Sequence, residues 1–300
     1  MASVTLAESA KLTQDMLLAG IIETVVSVNP LFEVMPFMEI EGNALAYNRE
    51  NALGDVQFLG VGGTITAKAA ATFTKVTSSL TTLIGDAEVN GLIQATRSNY
   101  TDQKAVQIAS KAKSLGRQYQ TTMITGDGLN DSFTGLLALV PSGQKIDKNA
   151  GAYALEDLDA VIDLVKDKDG QCDWLMMSAR SIRSYYGLLR ALGGASISEV
   201  VTLPSGRQVP TYRGIPIFRN DYIPTDGGGG TETTIFAGTF DDGSGKHGIS
   251  GLTAMGAPGV RVTEVGESET KDETITRVKM YCGFALFSEL GIAAVTEVTN

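Results

Sequence analysis

The segment from Glu41 to Ala71 places the strongest constraint on the fold of this chain. It consists mainly of Gly, Ala, Asn and Thr, four glycines interrupt it between positions 54 and 63, and the Thr-rich run Thr72–Ile84 follows it. A segment with so few large apolar side chains cannot bury a core of its own, so it is either disordered or lies against another part of a structure. The β-prone sequence on each side favours a long two-stranded hairpin. Because a projecting hairpin is unstable alone, we expect it to need a neighbouring subunit.

A long amphipathic helix is predicted after this segment. Asp102 has the residue type of an N-cap, and apolar side chains then recur at helical spacing. The apolar face consists of Ala105, Ile108, Ala109, Ala112, Leu115, Tyr119 and Met123. Gly126 ends the pattern, since glycine is common just after the last helical residue. At about 1.5 Å per residue, the predicted helix is roughly 30 Å or more long.

The rest of the chain alternates between helical and strand-like patterns. Helices are predicted over Leu6–Val28, Ala87–Arg97, Leu155–Lys166 and Ser181–Leu192. Strands are predicted over Cys172–Ser178, within Tyr212–Pro224, over Ile235–Gly238 and Val260–Val265, and as two long strands over Thr274–Val298. Residues Thr239–Gly259 are predicted to form a glycine-rich loop.

Composition excludes some classes of function. The net charge of −10 argues against a nucleic-acid-binding face built from Lys and Arg. The two cysteines, Cys172 and Cys282, lie far apart in apolar runs and form no CxxC pattern, so inert thiols in a reducing compartment are expected. The apolar run Met16–Val28 contains Glu23 and is too short to span a membrane. We therefore expect a protein that is cytoplasmic at synthesis.

The order of these elements resembles the major capsid proteins of tailed bacteriophages, which have the Hong Kong 97-type capsid fold. Individual phrases are similar as well: Thr125–Gly128 with Phe133–Leu137 after the long helix, Tyr212–Pro216, and Phe284–Phe287 with Gly291–Val295 at the end. The resemblance implies an α+β fold with four parts. These are an N-terminal arm (1–40), an extended hairpin loop (41–84), a peripheral domain with the long spine helix (85–130 and 260–300), and an axial domain of mixed α/β structure (131–259).

The resemblance implies a structural protein and not an enzyme. It would assemble through pentamers and hexamers into the icosahedral head of a tailed phage, enclosing double-stranded DNA, and would be found in the virion after synthesis in the host cytoplasm. Its partners would be other copies of itself and the packaged DNA, contacted weakly and non-specifically, with room for separate scaffold, portal and decoration proteins and no membrane. The shell of an encapsulin-like nanocompartment is the alternative, and a soluble α/β enzyme is a third interpretation.

The sequence departs from some family members in two ways. Some members carry a scaffolding segment ahead of the arm; we expect none in this protein, and therefore a separate scaffold protein or none. Some members also cross-link a hairpin lysine to an asparagine of a neighbour. Lys68 and Lys75 lie in the corresponding region, but no motif fixes a partner asparagine or a catalytic glutamate. The cross-link is therefore not expected.

Local patterns that suggest chemistry are all incomplete. The only histidine, His247, has no second His or Cys nearby, so we interpret it as a solvated loop residue. The pair Gly245-Lys246 lacks both the first glycine and the Ser or Thr of a phosphate-binding loop. Ser250 lacks the last glycine of a nucleophile elbow, and Ser142 fits the Ser-x-x-Lys spacing without a companion motif.

An acidic cluster after the long helix has a similar status. Asp127, Asn130 and Asp131 could offer oxygen ligands to calcium, but the twelve-residue loop pattern is absent. The polarity of a helix end and a turn explains them better. The sequence therefore predicts no catalytic residue, no cofactor-binding residue and no metal ligand.

Overall fold

The computed structural model describes residues 31, 34–92, 95, 103–152, 154–191, 200–225 and 232–299. Within these residues the strands form a two-stranded hairpin, a five-stranded sheet and a seven-stranded sheet. The first nine strands are β1 (Phe37–Ile40), β2 (Ala44–Ala52), β3 (Thr72–Ser79), β4 (Thr81–Asn90), β5 (Lys145–Asp147), β6 (Trp174–Met177), β7 (Val200–Thr202), β8 (Gln208–Tyr212) and β9 (Ile215–Arg219). The others are β10 (Glu232–Gly238), β11 (Ile249–Ala254), β12 (Val260–Glu267), β13 (Glu273–Leu286) and β14 (Ile292–Thr299). The described helices are α1 (Gln103–Thr125), α2 (Leu136–Leu139), α3 (Leu155–Leu164) and α4 (Ala179–Ala191).

The five-stranded sheet is organised around the long strand β13. Strand β4 pairs with β13 along Glu273–Cys282, while β12 and then β11 pair with it in antiparallel register, and β1 adds to β11 in parallel. Helix α1, about 35 Å long from its residue count, packs across this sheet. Ile108 and Leu115 of the helix share one buried cluster with Val278 of β13. The sheet and the helix thus form one unit.

The seven-stranded sheet has the order β5-β14-β10-β6-β9-β8-β7. Strand β6 is buried on both faces because its side chains alternate between two clusters. Leu175 and Met177 pack with the apolar sides of α3 and α4. Trp174 and Met176 pack with residues from the C-terminal end of α1, which include Met123. The C-terminal end of the long helix therefore joins the two sheets through a common core.

Most predicted elements are confirmed, and two predictions are wrong. The helix predicted over Ala87–Arg97 begins with strand residues, because β4 continues to Asn90 with Ala87 and Val89 buried in alternation with outward-facing Glu88. The loop predicted over Thr239–Gly259 contains the buried strand β11, whose Ser and Gly residues have low β propensity but are held by pairing with β1 and β13.

The helix predicted over Leu6–Val28 and the predicted N-cap Asp102 lie outside the described residues.

The last strand belongs to a different sheet from the strand before it. Strand β14 pairs with β5 and β10 in the seven-stranded sheet. Residues 292–299 therefore lie with the elements of 131–259, and the assignment of all of 260–300 to the unit of the long helix is wrong for this last strand. The other domain bounds stay predictions.

Candidate functional site

The segment between β1 and β4 forms a hairpin that projects from the body of the protein. Strands β2 and β3 pair with each other in antiparallel register from Ala44↔Ser79 to Ala52↔Thr72. At about 3.3 Å per residue, the nine residues of β2 span about 30 Å. Within the described residues these two strands pair with no other strand, so the hairpin forms a separate two-stranded sheet. An edge strand of a sheet is a place at which another chain can add by pairing.

The tip of the hairpin, which we define as residues 53–71, exposes several large apolar side chains. Val56, Phe58 and Val61 have relative accessibilities of 94%, 107% and 113%, and Leu53 and Ile65 are also more than half exposed. Burying one such side chain contributes about 1.5–3 kcal/mol. Soluble monomers rarely expose contiguous apolar clusters without a function. The tip therefore has the properties of a docking element.

One polar side chain connects the two limbs of this tip. The Oε1 atom of Gln57 accepts hydrogen bonds from the backbone N–H of Thr66 at 2.9 Å, from its hydroxyl at 2.7 Å, and from the N–H of Ala67 at 2.7 Å. The Nε2 atom of Gln57 donates to the carbonyl of Thr64 at 3.1 Å. The N–H of Asp55 donates to the carbonyl of Ala69 at 3.0 Å. The tip thus has a defined shape although it forms no ladder of strands.

The base of the hairpin is fixed to the end of β13. The hydroxyl of Tyr47 donates to the carbonyl of Leu286 at 2.7 Å, and its ring packs edge-on against Phe287 with centroids 5.1 Å apart. Arg49 donates to the carbonyls of Leu286 and Phe287 and forms an ion pair of 2.7 Å with Glu289. The base is therefore anchored where β13 leaves its sheet, while the tip extends away from it.

The sequence did not identify the anchoring residues or the residue that closes the tip. Leu45, Tyr47 and Arg49 alternate with exposed residues along β2 and face the body. This alternation was the available signal, but Gly, Ala and Thr dominate the surrounding sequence and hide it. Gln57 carried no sequence signal, because its role depends on the course of the opposite limb.

The turn-strand-turn segment Tyr212–Pro224 has a structural role. Arg213 and Gly214 both have positive φ angles, 52° and 81°, and form the tight turn between β8 and β9. The hydroxyl of Tyr212 donates to Asp159 of α3 at 2.8 Å, and Arg213 forms an ion pair with the same carboxylate at 3.0 Å. Burial, followed by the nearby Asp159 carboxylate, raises the pKa of Tyr212 to about 12. These contacts tie the β8–β9 hairpin to α3.

The side chain of His247 makes a polar contact that the sequence did not predict. Its Nδ1 atom lies 2.8 Å from Oδ1 of Asp167, the ring is 34% exposed, and Asp167 is 9% exposed. The other oxygen of Asp167 accepts the backbone N–H of Gly248 at 2.7 Å. The interpretation as a solvated loop histidine is therefore wrong. The ring helps to hold its loop against the segment after α3.

The loop that contains Gly245-Lys246 is closed around a carboxylate. Asp241 accepts the backbone N–H groups of Gly243 and Gly245 at 3.0 Å, Lys246 at 3.3 Å and His247 at 3.4 Å. A phosphate-binding loop needs such N–H groups for its ligand. Because Asp241 already uses them, the local geometry agrees with the failure of the motif.

The two incomplete catalytic serine patterns lie in structural elements. Ser250 is buried in β11 and donates to the carbonyl of Pro36 at 3.2 Å, so its hydroxyl is not presented to a substrate. Ser142 lies in a single helical turn before β5, and the Lys145 ammonium donates to the carbonyl of Leu137 at 3.3 Å. The structure thus gives both motifs a role in local geometry.

The acidic residues after α1 form a turn. Asp127 accepts the backbone N–H of Leu129 at 2.9 Å and the hydroxyl of Ser132 at 3.1 Å, and these bonds hold its pKa below the ordinary value of 3.8. Asn130 and Asp131 have positive φ angles of 51° and 60°. Within the described residues, no group of three or more His, Cys, Asp or Glu side chains is arranged to hold a metal ion.

The remaining candidate groups from the sequence are two hairpin lysines and two cysteines, and they form no common site. Lys68 and Lys75 are exposed on the hairpin. Burial raises the pKa of the Cys172 thiol to about 11 and that of the Cys282 thiol to about 12. No helix in the described part of the chain combines the length and apolar character required to cross a bilayer. The structure does not bring the candidate chemical groups together, whereas it does assemble a projecting apolar hairpin.

Comparisons with known proteins identify a family of shell proteins. The family model described as SrpI-like, type 2A encapsulin shell protein, matches residues 96–298. No curated protein sequence matches the chain significantly.

Solved structures of shell proteins are similar over most of the chain. The holo-SrpI encapsulin complex from Synechococcus elongatus has a TM-score of 0.70 at 19% identity, covering 90% of this chain and 87% of that one. The capsid of the native GTA particle has a TM-score of 0.62 at 16% identity, covering 92% and 91%. The capsid of Myoviridae phage XM1 has a TM-score of 0.60 at 12% identity, covering 89% and 90%. The α+β fold of the Hong Kong 97 type expected from the sequence is thus confirmed.

Proposed function

Because the chain belongs to the SrpI-like family of type 2A encapsulin shell proteins, we propose that it assembles with copies of itself into a closed compartment around a cargo protein. Membership of the family makes it a shell-forming structural protein. The kind of shell, its contents and the contacts that close it go beyond family membership, and we propose them here. Pentamers and hexamers of one chain, arranged with icosahedral symmetry, are the assembly that we propose.

The projecting hairpin carries this proposal. Its tip exposes Val56, Phe58 and Val61 almost completely, and its base is anchored by Tyr47 and Arg49. A tip that is held at its base and leaves large apolar side chains exposed gains by packing onto a neighbour. Closed symmetry repeats that contact in every subunit. A non-catalytic role agrees with the structural hydrogen bonds made by the serine and histidine residues.

The head of a tailed phage, filled with double-stranded DNA, is the second candidate. The structural similarity to the capsid of phage XM1 favours this candidate. That similarity concerns the fold only. The family match favours the compartment. Scaffold, portal and decoration proteins, and a place in the virion, belong to this second candidate only.

Deletion of Gly54–Ala70 tests the role of the hairpin. We expect the shortened chain to remain folded, since its body keeps both sheets, but to form no closed particles. The matched control replaces the same residues with a Gly/Ser sequence of equal length, which keeps the connection but removes the apolar side chains, and it should fail in the same way. Normal closed particles from either variant would refute the role of the tip.

Electron microscopy of the protein expressed alone and in its native host distinguishes the two candidates. Small uniform shells that co-purify with a cargo protein support the compartment. Shells that expand and fill with DNA support the phage head. A monomer by light scattering, under conditions where the subunit is folded, would contradict both.

A further inference from the structure

The tip of the hairpin contains a side chain whose hydrogen bonds all cross from one limb to the other. Gln57 bonds with Thr64, Thr66 and Ala67, which lie seven to ten residues further along the chain. Its Oε1 atom accepts three hydrogen bonds and its Nε2 atom donates one. A primary amide has two acceptor lone pairs and two donors, so most of its capacity is used within the tip.

The position of Gln57 gives these bonds a geometric consequence. Val56 and Phe58 flank it directly in the sequence. Gln57 faces the opposite limb, as its bonds to Thr66 and Ala67 require. Val56 and Phe58 are almost completely exposed. The same bonds that hold the limbs together therefore fix the stretch of backbone from which this exposed apolar pair extends.

The surroundings show why a side chain is needed at this place. Residues 53–71 contain no strand, so no ladder of backbone hydrogen bonds fixes the two limbs. The backbone bonds within the tip are Asp55 to Ala69 at the start and the turn from Gly60 to Gly63 at the end. Gln57 connects the limbs between these two points. Because the site is exposed, its hydrogen bonds add little to the stability of the body.

We propose that Gln57 is a positioning residue that preorganises the hairpin tip for docking onto a second copy of the chain. The inference rests on the proposed function, because it assumes that the tip docks in a shell. Association requires the ordering of whatever is mobile in the separate partners. A tip already ordered in the unassembled subunit avoids that cost when the shell forms. Gln57 thus acts through Val56 and Phe58 and makes no contact with the neighbour itself.

Two substitutions at this position separate the hydrogen bonds from the volume of the side chain. Gln57→Leu keeps a similar size but can make none of the four bonds. Gln57→Glu keeps an oxygen acceptor for Thr66 and Ala67, loses the donor to Thr64, and places its second carboxylate oxygen near the carbonyl of Thr64. The control Thr64→Leu places the same apolar side chain on the tip while keeping the carbonyl of residue 64. All variants leave the anchored base unchanged.

The measurement is the subunit concentration at half-assembly, followed by light scattering, together with amide hydrogen exchange in the unassembled subunit. For Gln57→Leu we expect a concentration about tenfold higher or more, and faster exchange confined to the amides of Thr66 and Ala67. Gln57→Glu, which keeps the acceptor bonds, should assemble at a lower concentration than Gln57→Leu, and Thr64→Leu should resemble the wild type. The melting temperature of the unassembled subunit should not change in any variant.

The outcomes keep this inference apart from the function on which it rests. If the wild type forms no shell, the proposed function fails. If the wild type forms shells and Gln57→Leu assembles at the same concentration, the positioning role is refuted while the shell function stands. Unchanged exchange at Thr66 and Ala67 in Gln57→Leu would also overturn the inference, because it would mean that the limbs are held without this side chain.

Discussion

Replacing Phe58 with alanine is the substitution that most directly weakens the apolar surface of the hairpin tip. The side chain of Phe58 is completely exposed, and it packs against no other residue in the described part of the chain. Burial of a phenylalanine side chain contributes about 2 kcal/mol. If each subunit buries one such ring on a neighbour, its loss should raise the subunit concentration required for assembly about thirtyfold, since about 1.4 kcal/mol corresponds to a factor of ten.

The same substitution should not affect the unassembled subunit. An exposed side chain that makes no contacts contributes within about 0.5 kcal/mol to the free energy of unfolding. The assay is therefore a titration of subunit concentration followed by light scattering, with thermal unfolding measured below the assembly threshold. Leu129→Ala is the matched control, because Leu129 is also largely exposed but lies outside the hairpin, after α1.

Two results would refute this reasoning. Phe58→Ala could assemble at the wild-type concentration, which would mean that the ring stays exposed in the shell. Alternatively, Leu129→Ala could raise the assembly concentration as much as Phe58→Ala, which would mean that loss of any exposed apolar side chain weakens assembly. A lower melting temperature for the unassembled Phe58→Ala subunit would show instead that the ring stabilises the subunit itself.

The fold makes two further predictions about stability. Gly248→Ala should lower the free energy of unfolding by about 3 kcal/mol or more, because a Cβ atom there would lie 2.1 Å from the carbonyl oxygen of Thr239 and the φ angle is +46°. Gly243→Ala, at a φ angle of +90° with open space around it, should cost only about 1–2 kcal/mol in chemical denaturation; equal costs would contradict the steric argument. Arg277 donates two hydrogen bonds of 2.8 Å to Asp86 and holds the pKa of this carboxyl below its ordinary 3.8. The folded pKa is thus below the unfolded one, so the contribution of the pair is complete well above pH 3.8 and is lost as the pH falls through the folded value. Asp86→Asn should flatten the dependence of stability on pH in that acidic window, and an unchanged acid transition would be evidence against the pair.

The parts of the fold that were predicted correctly are those in which local sequence and tertiary structure agree. Helix α1 has a mainly apolar buried face and stops just before Gly126. Strand β6 is a continuous apolar run, as expected for a strand buried on both faces. The hairpin was predicted from a lack of core-forming residues, because a segment that cannot bury itself must project or rest on something else.

The errors occur where tertiary contacts decide the structure. Strand β11 contains Ser250 and Gly251, which have low β propensity, and it exists because β1 and β13 pair with it from both sides. Strand β14 follows β13 in sequence but lies in the other sheet, and no local pattern encodes that change. The contact between His247 and Asp167 joins residues eighty positions apart, a separation at which a single sequence carries no signal.

The hairpin tip, which we propose as the docking element, was predicted only in outline for the same reason. Its location followed from composition, but its chemistry depends on which side chains face each other across the hairpin. Gln57 closes the tip through residues of the opposite limb, and Arg49 anchors the base to carbonyls near residue 287. Both roles depend on the three-dimensional path of the backbone. The sequence indicates that path only through its resemblance to a family of known fold.

A reconstruction of the assembled particle by electron cryomicroscopy shows directly where the hairpin tip lies. We expect a closed shell in which residues 53–71 of each subunit lie against a neighbouring copy, with Val56 and Phe58 buried at the contact. A purified protein that remains monomeric at high concentration would contradict it. A closed shell in which the hairpin tip is exposed to solvent would contradict the role given to the hairpin.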